Sequence, residues 1–168
     1  MDQTYSTETI RRLIDGDLDW NELKRIMSRP KDKERFVTYI GILQERSAWP
    51  DRILLPLGER LFIVVTESGE RRVKCECGFE FCRPEENWKL HAAIYVRDTA
   101  EALEEIYPGP RAPDPDYMEL REFYCPGCGA QLEVEAVTPG YPIVFEFEPD
   151  IDVFYHEWLG IPVPDGAP

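Results

Sequence analysis

The apolar positions of this chain change their period twice. Up to about residue 50 they recur at helical spacing. Thr7–Ile14 is a short amphipathic stretch that stops at Gly16, and Asp19, three residues before Glu22, reads as the cap of a helix running to about Met27. Pro30 ends that helix and Asp32 is placed to cap the next one. There Phe36, Ile40 and Leu43 fall at i, i+4 and i+7, with Val37 and Tyr39 widening the stripe. No titratable cluster interrupts the apolar side, so residues 1–50 read as a packed helical segment.

Continuous apolar runs then take over. Ile53–Leu57 leads through Gly58 into Leu61–Val65, a buried-strand pattern; Glu67–Glu70 supplies a turn and Arg71–Cys75 returns as the partner strand. Phe79–Cys82 reads as the next strand, and Ala130–Val137 alternates as another. Residues 78–124 form an insertion. Within it Glu85–Ala92 reads as a helical turn, Asp98–Tyr107 as a capped helix and Pro108–Pro115 as a stiff loop. After residue 137 regular periodicity is lost. Tyr141, Phe145, Phe147, Phe154, Tyr155 and Trp158 are mixed with Pro139, Pro142, Pro149, Pro162, Pro164 and Pro168. Such a tail can cover its own core or lie across another protein, and the lack of a charged amphipathic pattern favours the second. Glu146, Glu148, Asp150 and Asp152 read as a solvated edge. The expected fold is α+β in three parts: a helical segment over 1–50, a domain of β-hairpins over 51–137 with a helical insert over 83–122, zinc-ribbon-like by the cysteines Cys75, Cys77, Cys125 and Cys128 that its turns carry, and an extended tail over 138–168.

The cysteines give this outline its chemistry. All five lie in two short runs, Cys75-Glu-Cys-Gly78 with Cys82, and Cys125-Pro-Gly-Cys-Gly129. Cys125 and Cys128 flank a tight turn, and the glycine after the second can take φ > 0, so that backbone N–H groups face the sulfurs. Residues i and i+2 of an extended segment share a face, so Cys75 and Cys77 can reach one ion together. Cys75, Cys77, Cys125 and Cys128 are the expected ligands of a tetrahedral Zn²⁺, with Cys82 as the alternative to Cys75. Disulfides would leave one Cys over, and the absence of a signal peptide points to a reducing, cytoplasmic location. A redox Cys-x-x-Cys belongs at a helix start, whereas this one precedes a strand pattern. A rubredoxin-type iron site uses the same ligands and stays open. Four sulfurs close the coordination shell, so the site reads as structural. His91 is a weaker ligand candidate, with a hydrogen-bonded, half-buried role as its default; His156 sits in an aromatic cluster and reads as a contact residue.

Charge limits the partners. A net charge of −14 argues against nucleic acid and against an anionic membrane surface, and no apolar run is long enough to span a bilayer. There is no phosphate-binding Gly-x-x-x-x-Gly-Lys loop, no Gly-x-Gly-x-x-Gly and no Gly-x-Ser-x-Gly nucleophile elbow. No residue is assigned a catalytic role on these grounds.

Several runs carry a resemblance. They are Pro30–Tyr39, Ile42–Arg46, Leu54–Gly58 with Leu61–Val64, Cys75–Gly78 with Asn87–Ala92, Tyr124–Gly129, and Phe147–Asp150 with Glu157–Gly160. Together they resemble the gamma (small) subunit of acetone carboxylase from about residue 8 to residue 164; the small subunit of acetophenone carboxylase is related. The resemblance implies a subunit of an ATP-dependent ligase that carboxylates a ketone with bicarbonate, acetone giving acetoacetate. It implies alpha and beta partners that carry the ATP and Mn²⁺ chemistry, two copies of each of three chains, and a zinc-binding assembly role for this one. If the chain took part in catalysis, Glu85, Glu86 and His91 would be the first residues to examine. The contrasting expectation is a free-standing zinc-ribbon adaptor or rubredoxin-like carrier.

Overall fold

A computed structural model describes residues 5–30 and 33–166. Asp32, expected to cap a helix, and Pro168 lie outside the described residues. The chain begins with three helices, α1 (Thr7–Ile14), α2 (Trp20–Met27) and α3 (Lys33–Arg46). Ser6 caps α1 by accepting from the Thr9 amide, and Gly16, at φ 70°, takes the left-handed turn that ends it. Asp19 caps α2 by accepting from the amides of Asn21 and Glu22 at 2.9 and 3.2 Å. The expected stripe of α3 is half-buried rather than buried: only Ile42 is fully enclosed, while Ile40 and Leu43 pack beside Ile53, Phe62 and Val64.

Two antiparallel sheets follow. The first has the order β1 (Arg52–Pro56), β2 (Leu61–Val65), β3 (Arg71–Cys75), β4 (Glu80–Cys82). All five residues of β2 are buried, as its unbroken apolar run requires of a strand with neighbours on both edges. The second sheet has the order β5 (Ala93–Arg97), β6 (Glu119–Tyr124), β7 (Gln131–Val137). The insert therefore contributes two strands as well as its helix. That helix, α4 (Ala100–Glu104), is shorter than the periodicity suggests. Its cap is Thr99, one residue later than expected, and the chain turns away before Pro108. The turn expected over 85–92 is a 3₁₀ segment, Trp88–His91, capped by Asn87.

The main core lies between the sheets. Leu54, Ile63 and Val73 from the first sheet meet Phe123 from the second, with Trp88 between Phe81 and Phe123 at ring distances of 5.9 and 6.1 Å. The tail does not only run outward. Helix α5 (Ile151–Val153) continues into a π-helical turn over Phe154–Leu159, and Ile151, Tyr155 and Leu159 complete this chain's own core. The Tyr155 hydroxyl, buried, donates to the Leu54 carbonyl at 2.9 Å. Trp158 faces outward, 72% exposed. No helix among the described residues is long and apolar enough to cross a membrane.

Candidate metal centre

The two sheets meet at their turns. The β3–β4 turn carries Cys75 and Cys77, and the β6–β7 turn carries Cys125 and Cys128. The turns are built alike. In the first, the Gly78 amide donates to the Cys75 carbonyl at 2.8 Å and Gly78 has φ 95°; in the second, the Gly129 amide donates to the Cys125 carbonyl at 2.8 Å and Gly129 has φ 70°. Each turn so folds its amides back over its own sulfur. Backbone N–H groups of Cys77 reach Cys75, those of Gly127 and Cys128 reach Cys125, and that of Ala130 reaches Cys128.

The four sulfurs converge, all within 4.8 Å of one another. Cys75 Sγ is 3.9 Å from Cys128 Sγ, and Cys77 Sγ is 3.7 Å from Cys125 Sγ. Four sulfurs placed ~2.3 Å from a central ion form a tetrahedron with edges of about 3.8 Å, so the cage has the size a tetrahedral thiolate site needs. Cys75 and Cys125 form its buried side, Cys77 and Cys128 its exposed side. Burial pushes the thiols of Cys75 and Cys125 up, whereas the Ala130 N–H draws that of Cys128 down. A cation in the cage would offset the burial cost of the inner pair.

The profile of the acetone carboxylase gamma subunit family matches residues 47–159, a span that holds both sulfur pairs and ends on the core residue Leu159. The chain is 51% identical over 164 residues to the acetone carboxylase gamma subunit of Xanthobacter autotrophicus, covering 97% of this chain and 98% of that protein. It is also 35% identical over 79 residues to the acetophenone carboxylase beta subunit of Aromatoleum aromaticum, covering 46% of this chain and 61% of that one. This chain belongs to the acetone carboxylase gamma subunit family.

Other candidates lie apart from the cage of this gamma-family chain. Cys82 is not one of the converging sulfurs; its buried thiol donates to the Glu86 carbonyl at 3.6 Å, and burial, helped by Glu86 and Glu85, pushes it up to about 11. His91 is 3.7 Å from Glu86, is exposed, and stands outside the sulfur group. His156 is exposed as well.

Two residues that support the cage went unread in the sequence. The Trp49 indole N–H donates to the Glu76 carbonyl at 3.0 Å, pinning the first turn from outside. Arg60 pairs with Glu76 at 2.8 Å and lines, with Cys75, Cys77, Cys128, Gly129 and Ala130, an open cleft of about 340 Å³ beside the cage. Its cationic charge faces Cys128 and Cys75. Arg60 was in fact readable, because the β2–β3 hairpin that pairs Leu61 with Cys75 must bring the preceding residue beside Glu76. Trp49, reaching across from the end of the helical segment, left no such signal.

A second convergence is acidic. Glu133 and Glu135 of β7 and Glu146 of the tail surround the Lys89 ammonium at 2.7, 2.5 and 3.1 Å. Lys89 is 3% exposed and lies over the Phe123 ring. Burial works against its charge, but the three carboxylates outweigh that and hold its pKa above the usual lysine range. The lysine thus supplies the cation this acidic group needs.

Proposed function

We propose that this chain is the structural, zinc-holding gamma subunit of an ATP-dependent ketone carboxylase, with acetone as substrate and acetoacetate as product. Cys75, Cys77, Cys125 and Cys128 would hold the ion. When bound, it supplies a closed-shell cross-link between the two sheets and no reactive position. The turn amides of Cys77, Gly127, Cys128 and Ala130 stabilise the thiolates, and Arg60 offsets part of the net negative charge of a four-thiolate centre. The cage ties segments far apart in the chain and so removes the closure entropy of the insert. Ketone activation, ATP and Mn²⁺ belong to larger alpha and beta subunits in an assembly with two copies of each chain, in the cytoplasm.

The observation that carries the assignment is half identity along nearly the whole length of both this chain and the Xanthobacter gamma subunit. The sulfur spacing supports the metal role.

Co-expression with its alpha and beta partners, followed by affinity purification through this chain and metal analysis, tests the reading. The expected result is a complex of three chain types with one zinc per gamma subunit. A chain that purifies alone as a stable monomer, or a coloured preparation with iron in the cage, would overturn it in favour of an adaptor or electron carrier.

A further inference from the structure

Two sheets present four outer edges, and three of them are guarded. Edge β1 has an irregular register between Ile53 and Leu55, ends in Pro56 and is packed by α3. Edge β4 is three residues long and its pairing with β3 is also irregular. Edge β7 carries charge at alternate positions, Glu133 and Glu135, and its register shifts at Phe123/Tyr124. Proline, bulges, shortness and charge are the devices by which natural sheets prevent a further strand from adding.

Edge β5 lacks them over Ala93–Val96. Its five residues pair with β6 without a break, from Ala93↔Tyr124 to Arg97↔Leu120. There is no proline, and no charge before Arg97. All of Ala93–Val96 is exposed, and the large side chains Ile94, Tyr95 and Val96 stand 38%, 45% and 37% open. Ile94 and Val96 project from one face; on the other the Arg97 guanidinium lies 4.8 Å from the centre of the Tyr95 ring, so an added strand would meet aliphatic surface on one side and a cation-capped ring on the other. Among the described residues, no backbone hydrogen bond reaches Ala93–Val96 from outside the sheet. A straight, apolar, unguarded edge about 17 Å long is a template for strand addition.

We propose that β5 is the docking edge for an extended strand of a larger carboxylase subunit, which joins this sheet as its fourth strand. The inference rests on the assembly role proposed above. The occupant is apolar at alternate positions and basic at its flank, because Asp98 and, on α4, Glu101 and Glu104 follow the strand directly in the chain as exposed acid, while the strand's own Arg97 is already paired with Glu105 and Glu122. A second copy of this chain fits poorly: it would bring another net charge of −14 and the same acidic rim against this one. Main-chain pairing gives such a contact its affinity, and Ile94, Tyr95 and Val96 give it specificity.

The test uses the co-expressed three-chain complex and the chain purified alone. Amide hydrogen exchange at residues 93–97 should slow at least about tenfold on going from the isolated chain to the complex. Replacing Ile94→Lys and Val96→Lys together should abolish co-purification of the larger subunits, while the isolated variant keeps its metal content and far-UV circular dichroism. An Ile94→Thr/Val96→Thr variant, which keeps strand-forming β-branched side chains, should retain partial binding. If the complex forms but exchange at β5 is unchanged, the proposal fails while the assembly role stands. Slow exchange that rises with concentration in the isolated chain would assign the edge to a second copy and also overturn it. If no larger chain co-purifies with the wild type, the assembly role falls and the docking edge with it.

Discussion

Gly127 and Phe79 touch across the two cysteine turns. A Cβ added to Gly127 would lie 2.9 Å from the Phe79 Cβ and 3.3 Å from its Cγ, so the obstacle is the root of the side chain, which cannot swing aside. Gly127→Ala should therefore push the turns apart and destabilise the chain by about 1–3 kcal/mol, as overpacking does. Chemical denaturation measures the loss, and metal affinity should fall in parallel. Adding Phe79→Ala should recover little of it, because the Cβ that makes the closest approach stays in place.

The sulfur cage predicts a sharp division among the five cysteines. Serine at Cys75, Cys77, Cys125 or Cys128 should reduce bound zinc to well below one per chain and lower the melting temperature. Cys82→Ser should leave the zinc content intact. Metal analysis beside thermal unfolding separates the two outcomes. A strong chelator should reproduce the effect of the first group on the unmodified protein, and added zinc should reverse it.

Among the described residues Lys89 is the cation that three carboxylates share, so removing it leaves the buried Glu135 uncompensated beside the half-open Glu133 and the exposed Glu146. Lys89→Met should cost about 3 kcal/mol at neutral pH. The sign with pH follows from the raised folded-state pKa of Lys89. Its contribution is full below the ordinary lysine pKa of ~10.4 and is lost only as pH rises through the still higher folded value. The difference between wild type and variant should thus hold from neutrality to about pH 10 and close above it. Denaturation curves across this range check it.

Tyr155 joins the tail to the first sheet. Tyr155→Phe keeps the ring among its neighbours but leaves the Leu54 carbonyl without its donor, at a cost of about 1 kcal/mol. Burial pushes the Tyr155 hydroxyl up to about 12, so this bond should persist through ordinary alkaline titration of tyrosines. Ultraviolet titration should show fewer phenols ionising near pH 10 in the folded wild type than after unfolding, because Tyr39 and Tyr124 are raised as well, and Tyr155→Phe should remove one of the late group.

Local grammar made much of this fold legible. Asp19 capped its helix and Leu61–Val65 formed the innermost strand, because caps and unbroken apolar runs depend on nearby residues only. The sulfur positions were legible for the same reason, each pair sitting in a turn that its own glycine shapes. What escaped depended on distant partners. The short β5 run, Ala93–Arg97, becomes a strand only because Glu119–Tyr124 lies beside it. The aromatics of the tail looked like material for another protein's surface, yet Tyr155 faces inward together with Ile151 and Leu159, four residues to either side, once the first sheet is there to receive them. Lys89 appeared in the sequence as an ordinary residue in a turn, and nothing nearby announced the carboxylates from β7 and the tail.

The four sulfurs come two and two from either side of the divide between the sheets, which orders events during synthesis. A nascent chain that has emerged only as far as β4 holds half a cage and can keep an ion but weakly. The second half arrives only when the β6–β7 turn, some fifty residues later, has closed (Cys77 to Cys125 spans 48 positions). Tight capture of an ion in the proposed site would then be a late step that reports both hairpins as finished, and a chain truncated ahead of Cys128 would be left open to proteolysis.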